Sequence, residues 1–154
     1  MATAKRRCKG GHEKMGLVEL IAEKDREEAY EILIELVPRL KRAEFLRSFD
    51  HELMKQHKLF GLRKVGKLVS VAAAWTLMTG VPEKLLWIYA LVTTEPMRSK
   101  GHGRALLEAL KQYARREGFD EIRAHAHREE AMAFWEEKTE FKKFSMIYRL
   151  TANE

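Results

Sequence analysis

The chain has 154 residues, 45% of them hydrophobic, enough for one compact core and too apolar for a globally disordered polymer. Its one cysteine, Cys8, excludes an intrachain disulfide and fits a reducing cytosol. The net charge of +6 is concentrated in residues 1–14, which carry +4, so the basicity belongs mostly to a tail and argues against a nucleic-acid-binding face on the folded body.

Residues 1–14 show no apolar periodicity and contain Gly10-Gly11; they read as a disordered basic tail, with a single domain over 15–154. The N-terminus is basic without the apolar stretch of a secretory signal. No apolar run nears the roughly 20 residues of a membrane helix; the longest, Leu68 to Met78, is interrupted by Ser70 and Thr76. Residues 17–22 read as a first strand. Asp25, with Glu28 three residues on, has the pattern of a helix-capping box. Ala29, Ile32, Leu33, Leu36 and Val37 recur at helical spacing up to Pro38. A second helix is expected from Ala43 to His57, with Phe45, Leu46, Phe49, Leu53 and Met54 on one side.

Two strands, Leu59–Arg63 and Leu68–Met78, follow around a turn at Val65-Gly66-Lys67. Leu85 to Thr94 is apolar at alternate and intervening positions alike, the mark of a central strand covered on both faces. A loop, Glu95 to His102, leads into a helix near Gly103 whose buried stripe is Leu106, Leu107, Leu110, Tyr113 and Ala114, with Gly118 as its stop. Glu121–His127 reads as a strand, Glu129–Lys138 as a helix and Lys143–Leu150 as a last strand. Phe144, Met146 and Tyr148 alternate along the last strand, where they either pack on their own helices or form a homodimer face.

The segment Arg98-Ser99-Lys100-Gly101-His102-Gly103-Arg104 joins the central strand to the amphipathic helix. Its glycines admit close backbone approach, its N–H groups lie at a helix start, and three cations surround it. This chemistry suits a phosphate or pyrophosphate. A dinucleotide fingerprint fails because Leu106 stands where a third small residue is needed. A Walker-like match at Gly61–Lys67 fails because Leu68 replaces the magnesium-binding hydroxyl and a strand follows.

What remains is R-x-x-G-x-G, matched by Arg98, Gly101 and Gly103, and here the chain resembles the GNAT superfamily of N-acetyltransferases. The resemblance covers most of residues 17–150, since the element order fits as well. Residues Arg128 to Phe141 are similar to the family's second cofactor segment, with Phe134-Trp135 at the position of its Phe-Tyr pair. The resemblance implies an α/β (α+β) fold, a mixed and mostly antiparallel sheet flanked by helices with a splayed central parallel strand pair. It implies acetyl-CoA as cosubstrate and transfer of its acetyl group to a primary amine of a small molecule or protein, by direct attack in a ternary complex. It places the pantetheine against Leu91, Val92 and Thr93, the pyrophosphate on Arg98, Ser99, Lys100, Gly101, His102, Gly103 and Arg104, and Phe134 and Trp135 beside the cofactor.

The chain departs from the family at Trp135, whose indole N–H is no useful acid where a tyrosine often protonates the leaving thiolate. Tyr148 or Ser145 on the last strand are the substitutes. For the base, Leu85–Thr94 offers no carboxylate. His127, on one face with Arg123 and His125, is the candidate through a water relay, and Glu95 is a second. The missing tyrosine motivates one alternative, a non-catalytic acetyl-CoA sensor or interaction module. No metal is expected: Cys8, His12, His125 and His127 form no tight ligand pair.

Overall fold

The computed structural model describes residues 16–49, 55–80 and 83–144. The elements are β1 (Leu17–Glu19), α1 (Glu23–Leu33), α2 (Arg42–Ser48), β2 (His57–Lys64), β3 (Lys67–Met78), β4 (Lys84–Thr93), a 3-10 turn (Glu95–Met97), α3 (His102–Arg116), β5 (Glu121–Ala124) and α4 (Glu129–Lys138). The strands form one sheet in sequential order, antiparallel except for the parallel pair β4–β5. The basic tail, residues 50–54 and the expected last strand beyond Phe144, with Ser145, Met146 and Tyr148, lie outside the described residues. Among the described residues no helix is long and apolar enough to cross a membrane.

Alternation along the strands divides the core in two. Leu59, Val71 and Ala73 face α1 and α2, where Ala29, Ile32, Leu33 and Phe45 pack on them. Phe60, Leu62, Ala72 and Ala74 face α3, under Leu106, Leu107 and Leu110. The alanines at 72, 73 and 74 are fully buried; their small side chains let helices approach both faces of β3 closely.

The α3 stripe emerges as the spacing predicts; in the first helix Ala29, Ile32 and Leu33 are buried, but α1 ends at Leu33 and Val37 is exposed beyond it, and three further local expectations change. Asp25 is not a cap: α1 begins at Glu23 after Ala22, with no side-chain cap. Asp25 and Glu28 instead reach sideways to Arg63, both at 2.8 Å, and Glu28 Oε1 accepts the Leu68 N–H. Burial raises the Glu28 carboxyl, yet the Arg63 guanidinium and the Leu68 N–H outweigh it and hold the pKa below its usual value. Second, α2 ends at Ser48, and His57 opens β2; pairing of His57 with Trp75 draws it out of the helical pattern. Third, β5 stops at Ala124, and His125 and His127 lie beyond the strand.

The Walker-like stretch is a hairpin. Val65 (φ 50°) and Gly66 (φ 76°) both occupy the left-handed region, the signature of a two-residue turn matched to strand twist. Gly61 has a different reason to be glycine: a Cβ there would collide with Leu68 Cδ1 and press on Leu20. At the other end of the sheet α3 closes as a Schellman motif. The Phe119 N–H reaches Ala114 O at 2.9 Å and the Gly118 N–H reaches Arg115 O at 3.3 Å. That turn delivers Asp120, whose N–H donates to Lys84 O and whose carboxylate accepts the Lys84 N–H, so β5 enters beside β4 in fixed register.

Candidate active site

β4 and β5 part company halfway. Their pairing covers Leu85–Ile88 against Glu121–Ala124, and the last bond runs from the His125 N–H to Ile88 O at 3.0 Å. β4 continues to Thr93. Among the described residues the edge from Tyr89 to Thr93 therefore has β3 on one side and no strand on the other. Backbone groups of an unpaired strand edge seek hydrogen-bond partners, and Leu91, Val92 and Thr93 lie on this stretch.

A bulge marks where the gap begins. β3 and β4 pair Ala73 with Ala90 but Ala74 with Ile88, which leaves Tyr89 as the extra residue. Its insertion switches side-chain parity: Leu86 and Ile88 belong to the α3 side of the core, Ala90 and Val92 to the α1/α2 side.

The loop after β4 is tied down by one carboxylate. Glu35, in the turn after α1, accepts from the Thr94 hydroxyl at 2.8 Å, the Glu95 N–H at 3.0 Å and Arg98 Nη2 at 2.6 Å. Arg98 also donates from Nε to Thr93 O at 3.0 Å. Lys100 Nζ donates to Pro96 O at 2.9 Å. Two of the three expected cations are thus engaged in shaping the loop, while Arg104 is exposed on α3.

The loop presents an anion cradle. Ser99 (φ 59°) and Gly101 (φ 81°) are both left-handed, and successive backbone turns of this kind aim N–H groups inward. Gly101 is the N-cap of α3 and no side chain caps the helix. The first intrahelical bond runs from the Ala105 N–H to Gly101 O, so the N–H groups of His102, Gly103 and Arg104 precede the ladder at the positive end of the helix dipole. A Cβ on Gly103 would lie 3.4 Å from Thr93 Oγ1, an ordinary contact, so only a side chain reaching beyond Cβ would fill this approach. These donors fit a pyrophosphate. The His102 side chain turns inward: it is buried, and both ring nitrogens lack partners among the described residues. Burial, then the charges of Lys64 and Lys100, lower its pKa. Only its backbone is available to a ligand.

The second cofactor segment folds as α4. Trp135 is buried in the α3-side core, its ring 4.8 Å from that of Phe141; Phe134 is half-buried against the same cluster. Arg128 Nη2 donates to Leu36 O at 2.7 Å, joining the start of α4 to the turn after α1. The rings of His125 and His127 lie 4.1 Å apart, with His127 exposed. Burial, then the neighbouring His127, lower the pKa of His125. Among the described residues no group of three or more His, Cys, Asp or Glu could hold a metal ion.

Sequence reasoning missed three residues here. Glu35 carries no signal, being one acidic residue among several in and after α1. Tyr89 was readable only as a polar-tipped aromatic inside a buried run. His57, assigned to a helix, is buried in β2 and shares a hydrogen bond with the Tyr89 hydroxyl. Burial depresses the His57 pKa to about 4 and raises that of the Tyr89 phenol.

Comparison with known proteins matches residues 21–141 to the Acetyltransferase (GNAT) family model. The chain is 29% identical to the uncharacterized N-acetyltransferase YhdJ of Bacillus subtilis, over 85% of this chain and 94% of that protein. Among solved structures it superposes on a ribosomal-protein-alanine N-acetyltransferase from Brucella melitensis with a TM-score of 0.72 at 17% identity, over 89% of this chain and 99% of that one. It superposes on the aminoglycoside N-acetyltransferase AAC(6')-Iy in complex with CoA with a TM-score of 0.71 at 14% identity, over 89% and 95% of the two chains.

Proposed function

The chain belongs to the GNAT acetyltransferase family and is an acyltransferase, and from that premise we propose that it transfers an acetyl group from acetyl-CoA to a primary amine by direct attack within a ternary complex. The observation that carries this reading is the gap between β4 and β5, which opens beside the uncapped start of α3. A strand edge without a strand partner among the described residues and an anion cradle at the end of the same strand match the two ends of a pantetheine–pyrophosphate chain. A neighbour of the same fold in complex with CoA supports the same assignment.

Acetyl-CoA supplies the activated acetyl group as a thioester. In this reading the N–H groups of His102, Gly103 and Arg104 bind the pyrophosphate, with Ser99 and Gly101 shaping the turn, and Arg98 and Lys100 hold the loop that presents them. Leu91, Val92 and Thr93 offer backbone groups to the pantetheine arm, and one N–H on that edge polarises the thioester carbonyl. Held side by side, amine and thioester react largely through proximity. One proton leaves the amine as the N–C bond forms, and one reaches sulfur as the C–S bond breaks. His127, exposed beyond β5, takes the first through water. Trp135 is unsuited to the second, both by its chemistry and by its burial, which leaves Tyr148 as the phenol for that step.

The test is calorimetric titration of acetyl-CoA into the protein, followed by a CoA-release assay with a panel of amines. Binding with turnover of a primary amine supports the proposal. A wild-type protein that fails to bind acetyl-CoA overturns it.

A further inference from the structure

We propose that His57, Trp75 and Tyr89 form the wall of the acceptor site, and that the acceptor carries a single amine on an aromatic body. The inference deepens the acetyl-transfer reading and rests on it. These rings lie on the α1/α2 face of the sheet, at the point where β4 loses its β5 partner. His57 stacks between Phe49, at 5.1 Å and 26°, and Tyr89, at 5.4 Å and 24°. Trp75 lies 4.9 Å from His57 and 6.4 Å from Tyr89, at 37° and 34°. Phe49, His57 and Tyr89 form a stack, and Trp75 lies tilted beside it.

Tyr89 is the bulge residue and remains 38% exposed, although its strand neighbours Ile88 and Ala90 are buried. An inserted aromatic that solvent still reaches, beside a strand edge left open, is a surface built for contact. Its hydroxyl is occupied by His57, so the ring is fixed and the tip is not an unfilled polar demand. The buried His57 stays neutral across the working range, so the ring behind Trp75 and Tyr89, the two members of the wall that solvent still reaches, adds no charge of its own.

Charge around the wall selects further. Arg26 sits over Phe49 at 4.7 Å, and its Nε is buried without a partner among the described residues. Arg128 crosses to Leu36, and His127 lies beyond β5. Of the carboxylates that flank β4, Glu35 is committed to Arg98, Thr94 and the Glu95 N–H, and Glu83 and Glu121 to Arg123, while the Glu95 carboxylate, exposed at the end of the strand, has no ion pair among the described residues. A polycation needs a carboxylate for each ammonium it brings into a protected site. One ammonium on a flat ring needs only the faces offered, through stacking and cation–π attraction.

The experiment compares kcat/KM for 2-phenylethylamine, n-butylamine, spermidine and an aminoglycoside, with acetyl-CoA binding measured on every sample. 2-Phenylethylamine is expected to exceed spermidine and the aminoglycoside at least tenfold. Trp75→Leu and Tyr89→Leu are expected to raise its KM about tenfold, to move the KM for n-butylamine by less than about twofold, and to leave the acetyl-CoA Kd in place. Tyr89→Phe retains the ring and guards against a folding artefact; it is expected to stay close to the wild type with the aryl amine. Preference for a polycation overturns the proposal. So does an equal rise in KM for both monoamines, or no turnover of the aryl amine while acetyl-CoA still binds. Failure of the wild type to bind acetyl-CoA would instead sink the acetyl-transfer reading beneath it.

Discussion

β2–β3 and β4–β5 are neighbouring strand pairs in one sheet, built from similar apolar residues, and they end in opposite ways. β2 and β3 stay paired from His57–Trp75 to Lys64–Lys67, where a two-residue turn closes them. β4 and β5 are pinned at one end by the double contact between Lys84 and Asp120 and are open after Ile88. The closed pair contributes stability. The open pair leaves the β4 edge from Tyr89 to Thr93 without a strand partner among the described residues, and the proposed cofactor site is placed there. A parallel pair can do this because its two strands are joined by a whole helix, so no turn forces them together at the far end.

The sharpest way to break the open end is to fill its cradle. Gly103→Trp, set against Thr93, is expected to weaken acetyl-CoA binding a thousandfold or more, about 4 kcal/mol, with little change in melting temperature; calorimetry and a thermal scan separate the two. Acid tests the edge of the closed pair next. His57 is neutral in the fold with a pKa of about 4 and regains its ordinary value of 6.5 when unfolded. As pH falls below 6.5 the unfolded chain binds a proton that the folded one does not. Stability is therefore full above that pH, declines toward 4 and levels off below, by about 3 kcal/mol at most. Urea midpoints across this range check it, and His57→Phe should flatten the dependence.

A smaller effect is expected from Glu35→Ala, which releases Thr94, Glu95 and Arg98 together. Acetyl-CoA affinity should fall about tenfold, or about 1.4 kcal/mol, because the loop must be ordered on binding. An unchanged Kd would mean the loop holds its shape without the carboxylate. The mildest change sharpens the closed end. Val65 is a β-branched residue held at positive φ and exposed. Val65→Asn should raise stability by about 1 kcal/mol and leave turnover untouched, read from the denaturant midpoint.

Much of this was legible in the chain. The stripe Leu106, Leu107, Leu110, Tyr113 and Ala114 is buried as its spacing implies, α4 spans the expected residues, and Gly118 stops α3. These are local patterns, set by helical period and cap chemistry. Residues that answer to distant partners were misread. Asp25 and Glu28 look like a capping box, yet Arg63 offered each a stronger, charged partner. His57 follows a helical apolar pattern, yet ladder pairing with Trp75 claimed it. Trp135, placed beside the cofactor by the resemblance, has its indole buried against Phe141.

By itself the sequence determined the setting of the loop: Arg98, Gly101 and Gly103 stand between an apolar strand and an amphipathic helix, and the proposal of a pyrophosphate cradle could be made from them because that chemistry lies within a few consecutive residues. Only the tertiary structure decided where the gap opens and what lines it. The extra residue at Tyr89 appears when Ala73 and Ala74 choose their partners, His57 meets Tyr89 across 32 residues, and Arg98 meets Glu35 across 63. Such contacts are selected by the packing of whole elements against one another, and no window of sequence contains both sides of the choice.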